Sequence, residues 1–270
     1  MRQSKSKQEI LMCPPTYYAI EYKINPWMVT QVNGKTAEKQ WQKLRDTFVN
    51  LNMKVSLIEP VKHLPDMVFT ADQGAIYDHI FIKSNFRFHE RQRESIYTLT
   101  YFKKKNFAIV ELPKGAYFEG QGDFLIREDT ILFGVGHRSN LKAAKIIKTL
   151  LNKKVIFLHL VDPYFFHLDT ALCVLPNGGI MYYKGAFSKN SLAKIENLTS
   201  DLIGISKPDA YKMACNAVVY RNNIVVNKGL SKGLIKIFKD RGLSVFEVEL
   251  SEFLKSGGGA HCLTWNGVAQ

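Results

Sequence analysis

Residues 124–160 read FLIREDTILFGVGHRSNLKAAKIIKTLLNKKVIFLHL, and this stretch decides the fold. Two short apolar runs, Phe124–Arg127 and Thr130–Val135, predict a hairpin. Asn140–Leu151 then carries apolar residues at helical spacing, and Val155–Leu160 reads as a short buried strand. The unit is strand–strand–helix–strand, and it recurs on both sides. Upstream, strands at Val68–Thr70 and Ala75–Lys83 precede a helix at Arg91–Lys103 and a strand at Phe107–Leu112. Downstream, Thr170–Leu175 and Gly179–Lys184 precede a helix at Ser188–Leu198 and a strand at Leu202–Ile205. Ala217–Tyr220 and Ile224–Val226, joined by an Asn222-Asn223 turn, precede a helix at Ser231–Arg241 and a strand at Leu243–Glu249. A helix from about Thr36, its N-cap, carries Trp41, Leu44, Phe48 and Leu51 on one stripe and leads to the strand Val55–Ile58. The period is about fifty residues with little identity between units, so the repeat is architectural. Equivalent loops of every unit then converge on one centre.

The chain has 270 residues, 46% of them hydrophobic, enough for a sizeable core. No linker rich in Pro, Gly or Ser divides it, which predicts a flexible basic tail over 1–11 and a single domain over 12–270. No apolar run approaches the ~18 residues of a membrane span. The basic N-terminus is followed by too short an apolar run for a signal-peptide core, so a cytoplasmic protein is expected. Four scattered cysteines (Cys13, Cys173, Cys215, Cys262) form no CxxC pair; they read as free thiols in a reducing compartment rather than a zinc site. The net charge of +13 is spread along stretches such as Lys142–Lys154 and Lys228–Arg241. That pattern reads as a solvated basic surface, with nucleic-acid binding held as a rival. A homo-oligomer is left open. A cationic substrate would need its own cluster of acids.

Such a cluster is present. Cys262 follows Gly257-Gly258-Gly259-Ala260-His261, a run able to bring backbone close to a ligand. It reads as a nucleophile, against the alternative of an inert buried thiol. Asp66 and Asp72 in the segment Leu64–Asp72, Glu119 in Phe118-Glu119-Gly120-Gln121-Gly122-Asp123, and His167 with Asp169 fall at strand–loop junctions of successive units. Singly, they read as well as a turn residue, a solvated loop acid or a core histidine, and Asp123 as a structural hydrogen-bonder. Together they suit thiolate attack on a planar cationic carbon, because carboxylates match the N–H fork of a guanidinium.

These residues resemble the guanidino-group-modifying enzymes, the amidinotransferase or pentein superfamily, which includes arginine deiminases, dimethylargininases, arginine dihydrolases and glycine amidinotransferases. The resemblance rests on six segments in order: Leu64–Asp72, Glu119–Asp123, Phe133–Asn140, His167–Asp169, Cys215–Ala217 and Gly257–Cys262. It implies an α/β fold, a five-bladed pseudo-symmetric propeller of strand–strand–helix–strand units. It further implies Cys262 as nucleophile, His167 as general acid/base, Glu119 and Asp72 as acids holding the guanidinium, and Asp169 as the carboxylate beside the histidine. Asp66 becomes a further substrate-side acid, Arg138 the holder of a substrate carboxylate, and Asn25 and Asn216 substrate contacts. The implied reaction is hydrolysis of arginine or a close derivative through a covalent thiouronium, with no metal or organic cofactor. Gln121, inserted where Glu-Gly-Gly-Asp is commoner, is expected to alter loop shape more than chemistry.

Met12–Tyr18 and Asn25–Met28 resemble the arginine dihydrolases, which carry the substrate to ornithine. In that group the resemblance implies Asn at the position of Asp72; Asp there matches deiminases and dimethylargininases and favours stopping after one hydrolysis, at citrulline. The compact length resembles dimethylargininases. The rival from another class is a non-catalytic pentein-like binding protein.

Overall fold

Five three-stranded sheets stand around a common channel in the computed structural model, which describes residues 8–267. In chain order the strands are β1 (Glu9–Met12), β2 (Lys54–Leu57), β3 (Gly74–Tyr77), β4 (Ile80–Lys83), β5 (Ala108–Val110), β6 (Phe124–Arg127), β7 (Thr130–Val135) and β8 (Lys154–His159). Then follow β9 (Leu172–Val174), β10 (Ile180–Tyr182), β11 (Leu202–Gly204), β12 (Val218–Tyr220), β13 (Asn223–Asn227), β14 (Ser244–Val248) and β15 (Trp265–Asn266). Four blades have one pattern. An antiparallel hairpin (β3–β4, β6–β7, β9–β10, β12–β13) is followed by a helix and a strand parallel to the hairpin's second strand. The helices are Glu94–Lys104, Leu141–Leu151, Lys189–Glu196 and Lys232–Asp240.

The remaining blade is assembled from both ends of the chain. β1 runs parallel to β2 across the helix Gly34–Asn50, while β15 pairs antiparallel to β1 through Ile10↔Asn266 and Leu11↔Trp265. The late strand β15 thus serves as the first strand of the earliest blade and closes the ring. The first strands of all five blades contribute to one cavity of about 460 Å³, lined among others by Ile76, Phe124, Leu172, Val219 and Asn266. These strands therefore face the channel, and the turns preceding them share one end of it.

Local chemistry fixes the helix starts. Asn140, Ser188 and Ser231 accept the N–H of the residue three places on. The long helix is capped by Asn33 rather than Thr36, because Asn33 Oδ1 accepts the Thr36 N–H. Its expected stripe Trp41, Leu44 and Phe48 is buried. Four further expectations are corrected. Ala75–Lys83 is not one strand but the hairpin of β3 and β4. The tail does not reach residue 11, since Glu9–Met12 is a strand; residues 1–7 lie outside the described residues. Val68–Thr70 is no strand but the join of two 3-10 turns, Pro65–Val68 and Thr70–Gln73, in a segment that Pro65 starts as a turn. The hairpin expected to turn at Asn222-Asn223 has Asn223 already in β13, paired with Tyr220. Among the described residues no helix is long and apolar enough to cross a membrane.

Candidate active site

Each blade presents a turn just before its first strand, and these five turns carry the candidate residues. Asp72 precedes β3, Glu119 precedes β6, His167 and Asp169 precede β9, Asn216 precedes β12 and Cys262 precedes β15. The fold thus brings residues far apart in sequence to one place: Cys262, His167, Asp72, Asp66, Arg138 and Asn25 line a single cleft. The cleft is closed down to about 10 Å³, the room of roughly one water molecule.

Cys262 is held by its loop. Asn216 Oδ1 accepts from the backbone N–H of Gly259 (2.9 Å) and of Cys262 (3.0 Å), while its Nδ2 donates to Cys262 Sγ at 3.0 Å. Gly257 has φ +76°, and a Cβ there would stand 2.5 Å from Trp27 Cδ1, so the run needs glycine for both backbone and space. The thiol is 3% exposed; burial, then the charges of Asp169 and Asp72, push its pKa well above the ordinary range. The expected ready thiolate is therefore a neutral thiol in the ligand-free protein.

His167 has the opposite bias. Burial opposes its charge, but Asp72, Asp123 and Glu119 outweigh burial and raise it from 6.5 to about 9. Its Nε2–H donates to Glu119 Oε2 (2.9 Å), and its Nδ1 lies 3.5 Å from Asp72 Oδ1. Both Glu119 oxygens are engaged: Oε2 also accepts from Arg138 Nη1 (3.0 Å), and Oε1 accepts the Arg87 N–H (3.1 Å). Desolvation would raise it, yet Arg138 and His167 hold it well below the usual carboxylate range. Glu119 therefore favours the charged histidine, and its Oε1, with a single donor, keeps an acceptor site.

Asp66 and Asp72 differ in this respect. Asp66 Oδ2 accepts from Tyr22 Oη (2.9 Å) and Asp72 Oδ2 from Arg91 Nη1 (2.7 Å), while the other oxygen of each is buried without a partner. His167 Nδ1 is also without a hydrogen-bond partner. Buried polar atoms normally find partners; Asp66 Oδ1 has none, and Asp72 Oδ1 and His167 Nδ1 only face each other at 3.5 Å, which marks a place where a ligand supplies the missing bonds.

Other expected contacts fall elsewhere. Asn216 does not line the cleft; it braces the loop that carries Cys262. Asp169 lies against Sγ, its Oδ2 at 3.4 Å, and lines the channel cavity instead. Arg138 lines the cleft but is paired with Glu119 and the Ile24 carbonyl and stacked over Phe166 and Phe88. Asn25 lines it with both amide functions used, on Ser256 O and the Trp27 N–H. Asp123 is structural, as expected: it accepts from Ser139 N and Leu168 N. Gln121 exchanges two hydrogen bonds with the backbone of Asn266, at 2.7 and 2.9 Å, so the inserted residue clamps β15.

Sequence reading missed Arg91, Glu94, Tyr22 and His261. Arg91 is buried in the cleft wall, with Asp72 and both oxygens of Glu94 on its guanidinium. The surrounding run His89-Glu90-Arg91-Gln92-Arg93-Glu94 looks like solvated charge, and no local signal separates Arg91 from it. His261 stood in the quoted motif, and only the fold shows its Nδ1 donating to Asp169 Oδ2 at 2.8 Å. Among the described residues no group of three or more His, Cys, Asp or Glu is arranged to hold a metal ion.

Comparison with known proteins shows what the chain is similar to. The chain is 39% identical over 262 residues to the bifunctional arginine dihydrolase/ornithine cyclodeaminase ArgZ of Synechocystis, covering 94% of this chain and 37% of that one. It therefore spans little more than a third of that relative's length. It is 37% identical to the N(G),N(G)-dimethylarginine dimethylaminohydrolase of Mycobacterium tuberculosis, covering 97% of this chain and 87% of that one. The solved N-terminal domain of cyanobacterial ArgZ, a cysteine-to-serine mutant bound to substrate, superposes with TM-score 0.93 at 37% identity over 96% of this chain and 98% of that one. The fold is thus the five-bladed α/β propeller of the guanidino-modifying superfamily. The family described as N,N dimethylarginine dimethylhydrolase, eukaryotic, matches residues 24–268, and the chain belongs to it.

Proposed function

We propose that the protein is a cysteine-dependent hydrolase of the guanidinium group of arginine or a close derivative. The observation that carries this reading is the pair of unpartnered buried oxygens, Asp66 Oδ1 and Asp72 Oδ1, in the cleft that holds Cys262 and His167. Two fixed anionic acceptors suit the N–H donors of a guanidinium. A bound cation also favours the thiolate that burial and Asp169 oppose. Cys262 then attacks the central carbon to give a tetrahedral adduct. His167, protonated up to about pH 9, gives its proton to the departing nitrogen. A covalent thiouronium remains, and water activated by the neutral histidine releases a ureido product; such transfers supply ~10² to 10⁴ in rate. Two buried cations in the cleft wall, Arg91 and Arg138, suit a substrate carboxylate once they exchange present partners for it.

A second reading is arginine dihydrolase, favoured by the likeness to ArgZ. Asp72 weighs against it: a carboxylate holds a cation more firmly than a neutral ureido group, which supports stopping after one hydrolysis. Its ion pair with Arg91 offsets part of that charge. Four free thiols fit a cytoplasmic setting. Incubation with arginine, citrulline, methylarginines and agmatine, followed by product identification, tests the proposal. Citrulline with ammonia means a deiminase, citrulline with methylamines a dimethylargininase, and ornithine a dihydrolase. Cys262→Ser should remove all turnover while calorimetry still detects substrate binding; turnover in that variant, or none with any guanidine in the wild type, ends the proposal.

A further inference from the structure

We propose that Asp169 accepts the proton of the Cys262 thiol, and that His261, reaching it from the channel cavity, is the positioning residue for this transfer. The purpose of the step rests on the hydrolase reading above; its geometry stands separately.

Two side chains hydrogen-bond to Sγ. Asn216 Nδ2, at 3.0 Å, can only donate; Asp169 Oδ2, at 3.4 Å, can accept. His167 is poorly suited to the task, because it is already protonated up to about pH 9 and its Nε2–H is committed to Glu119. A proton acceptor for the thiol therefore has to come from elsewhere, and Asp169 is in place. It does not line the substrate cleft. It stands on the other side of the sulfur, in the cavity of about 460 Å³ enclosed by the first strands.

From that side His261 holds it. Nδ1–H donates to Asp169 Oδ2 at 2.8 Å, and the ring is 13% exposed to the cavity. The backbone N–H of His261 donates to Asn216 O at 3.2 Å, so one asparagine fixes both His261 and its neighbour Cys262. Nucleophile and positioning histidine thus move as one turn. The other titratable groups lining that cavity are the thiols of Cys173 and Cys215, both pushed up by burial and so uncharged at neutral pH. Asp169 is the negative charge that His261 meets there.

In the step, the S–H bond breaks and its proton passes to the Asp169 carboxylate. The negative charge moves to sulfur, where the cationic substrate receives it. The His261 Nδ1–H bond persists on the same carboxyl group throughout. No oxidant or co-reactant is needed, and the proton returns when the product leaves. The two protons of the reaction are thereby kept apart: His167 serves the leaving nitrogen from the cleft, and Asp169 serves the sulfur from behind.

The test is alkylation of Cys262 by iodoacetamide, located by mass spectrometry, across neutral and alkaline pH in wild type, His261→Ala and His261→Asn. Loss of one hydrogen bond makes the Asp169 carboxylate the stronger proton acceptor, so the His261→Ala midpoint should move down by about one pH unit, with roughly tenfold faster labelling at neutral pH. Asn offers an N–H near the Nδ1 position and should stay within about twofold of wild type. A purely structural role would lower thermal stability without this split. Should His261→Ala not fold, His261→Gln, whose N–H lies further out, replaces it with the same expectation. An unchanged or upward-shifted profile in the Ala or Gln variant, or an Asn variant shifted as far as Ala, overturns the proposal. If the wild type turns over no guanidine, the hydrolase reading fails while the labelling still decides the role of His261.

Discussion

Glu119→Gln separates the charge of the site from its shape. The two side chains are nearly isosteric, and the amide oxygen can still accept a hydrogen bond. What disappears is the negative charge facing His167 Nε2 at 2.9 Å and Arg138 Nη1 at 3.0 Å. Against the penalty of burial, Asp72, Asp123 and Glu119 raise His167 from 6.5 to about 9, a bias of ~3 kcal/mol. Losing one charge-assisted bond costs ~1.5–3 kcal/mol, or about one to two pH units. His167 must be protonated to serve the leaving nitrogen, so activity is lost as pH rises through its pKa. The alkaline limb of kcat/KM should lie near 9 in the wild type and about one to two units lower in the variant. Stability must follow the same sign. A histidine raised in the folded state stabilises it fully below pH 6.5, and that contribution of ~3 kcal/mol fades as pH rises through about 9. Urea unfolding at both ends of this window should show a smaller loss in the variant. At every pH the variant should also be weaker by ~3 kcal/mol or more, because Arg138 is left buried with its charge unpaired. An alkaline limb that stays near 9 would refute the assignment of Glu119 as the residue that keeps His167 charged.

Two further substitutions probe the scaffold. Asn216→Ala leaves the Gly259 and Cys262 N–H groups buried without their acceptor and should cost ~2–4 kcal/mol in urea unfolding, with loss of turnover. Gly134→Ala would put a Cβ 2.3 Å from Asp123 Oδ1 and 2.8 Å from Leu168 Cβ, so a melting experiment should show ~1–3 kcal/mol of destabilisation. Because Asp123 Oδ1 holds the N–H of Leu168, next to His167, kcat should fall as well.

Three of the five blades were legible in the sequence because each hairpin and its following helix are local; in a fourth the helix was legible, but the β3–β4 hairpin was read as the single strand Ala75–Lys83. Phe124–Val135 and Asn140–Leu151 carry their periods and caps within a few tens of residues. The remaining blade was not legible. β1 and β15 are four and two residues long, lie near opposite ends of the chain, and acquire meaning only by pairing. The same contrast holds in the site. Asp72, His167 and Cys262 were found because equivalent turns deliver them to one end of the channel. What each acid does there was not readable, since Glu119 meets Arg138 and His167 across nineteen and forty-eight residues. Asp169 and Asn216 stand behind the sulfur rather than before it, a distinction of side that spacing does not encode. Arg91 stayed hidden because a buried guanidinium among acids has the same letters as a solvated one.

The two-residue strand β15 carries a heavy consequence for its length. Three residues separate Cys262 from Asn266, whose backbone is gripped by Gln121 and by β1. The reactive sulfur therefore reaches its place only after the final blade has locked. A partly synthesised chain already holds the acids and the histidine, but no competent nucleophile. Fraying at Trp265–Asn266 would silence the protein while its other blades stay folded. On heating, activity should accordingly vanish several degrees before the main unfolding transition, so the seam of the ring acts as a built-in thermal fuse.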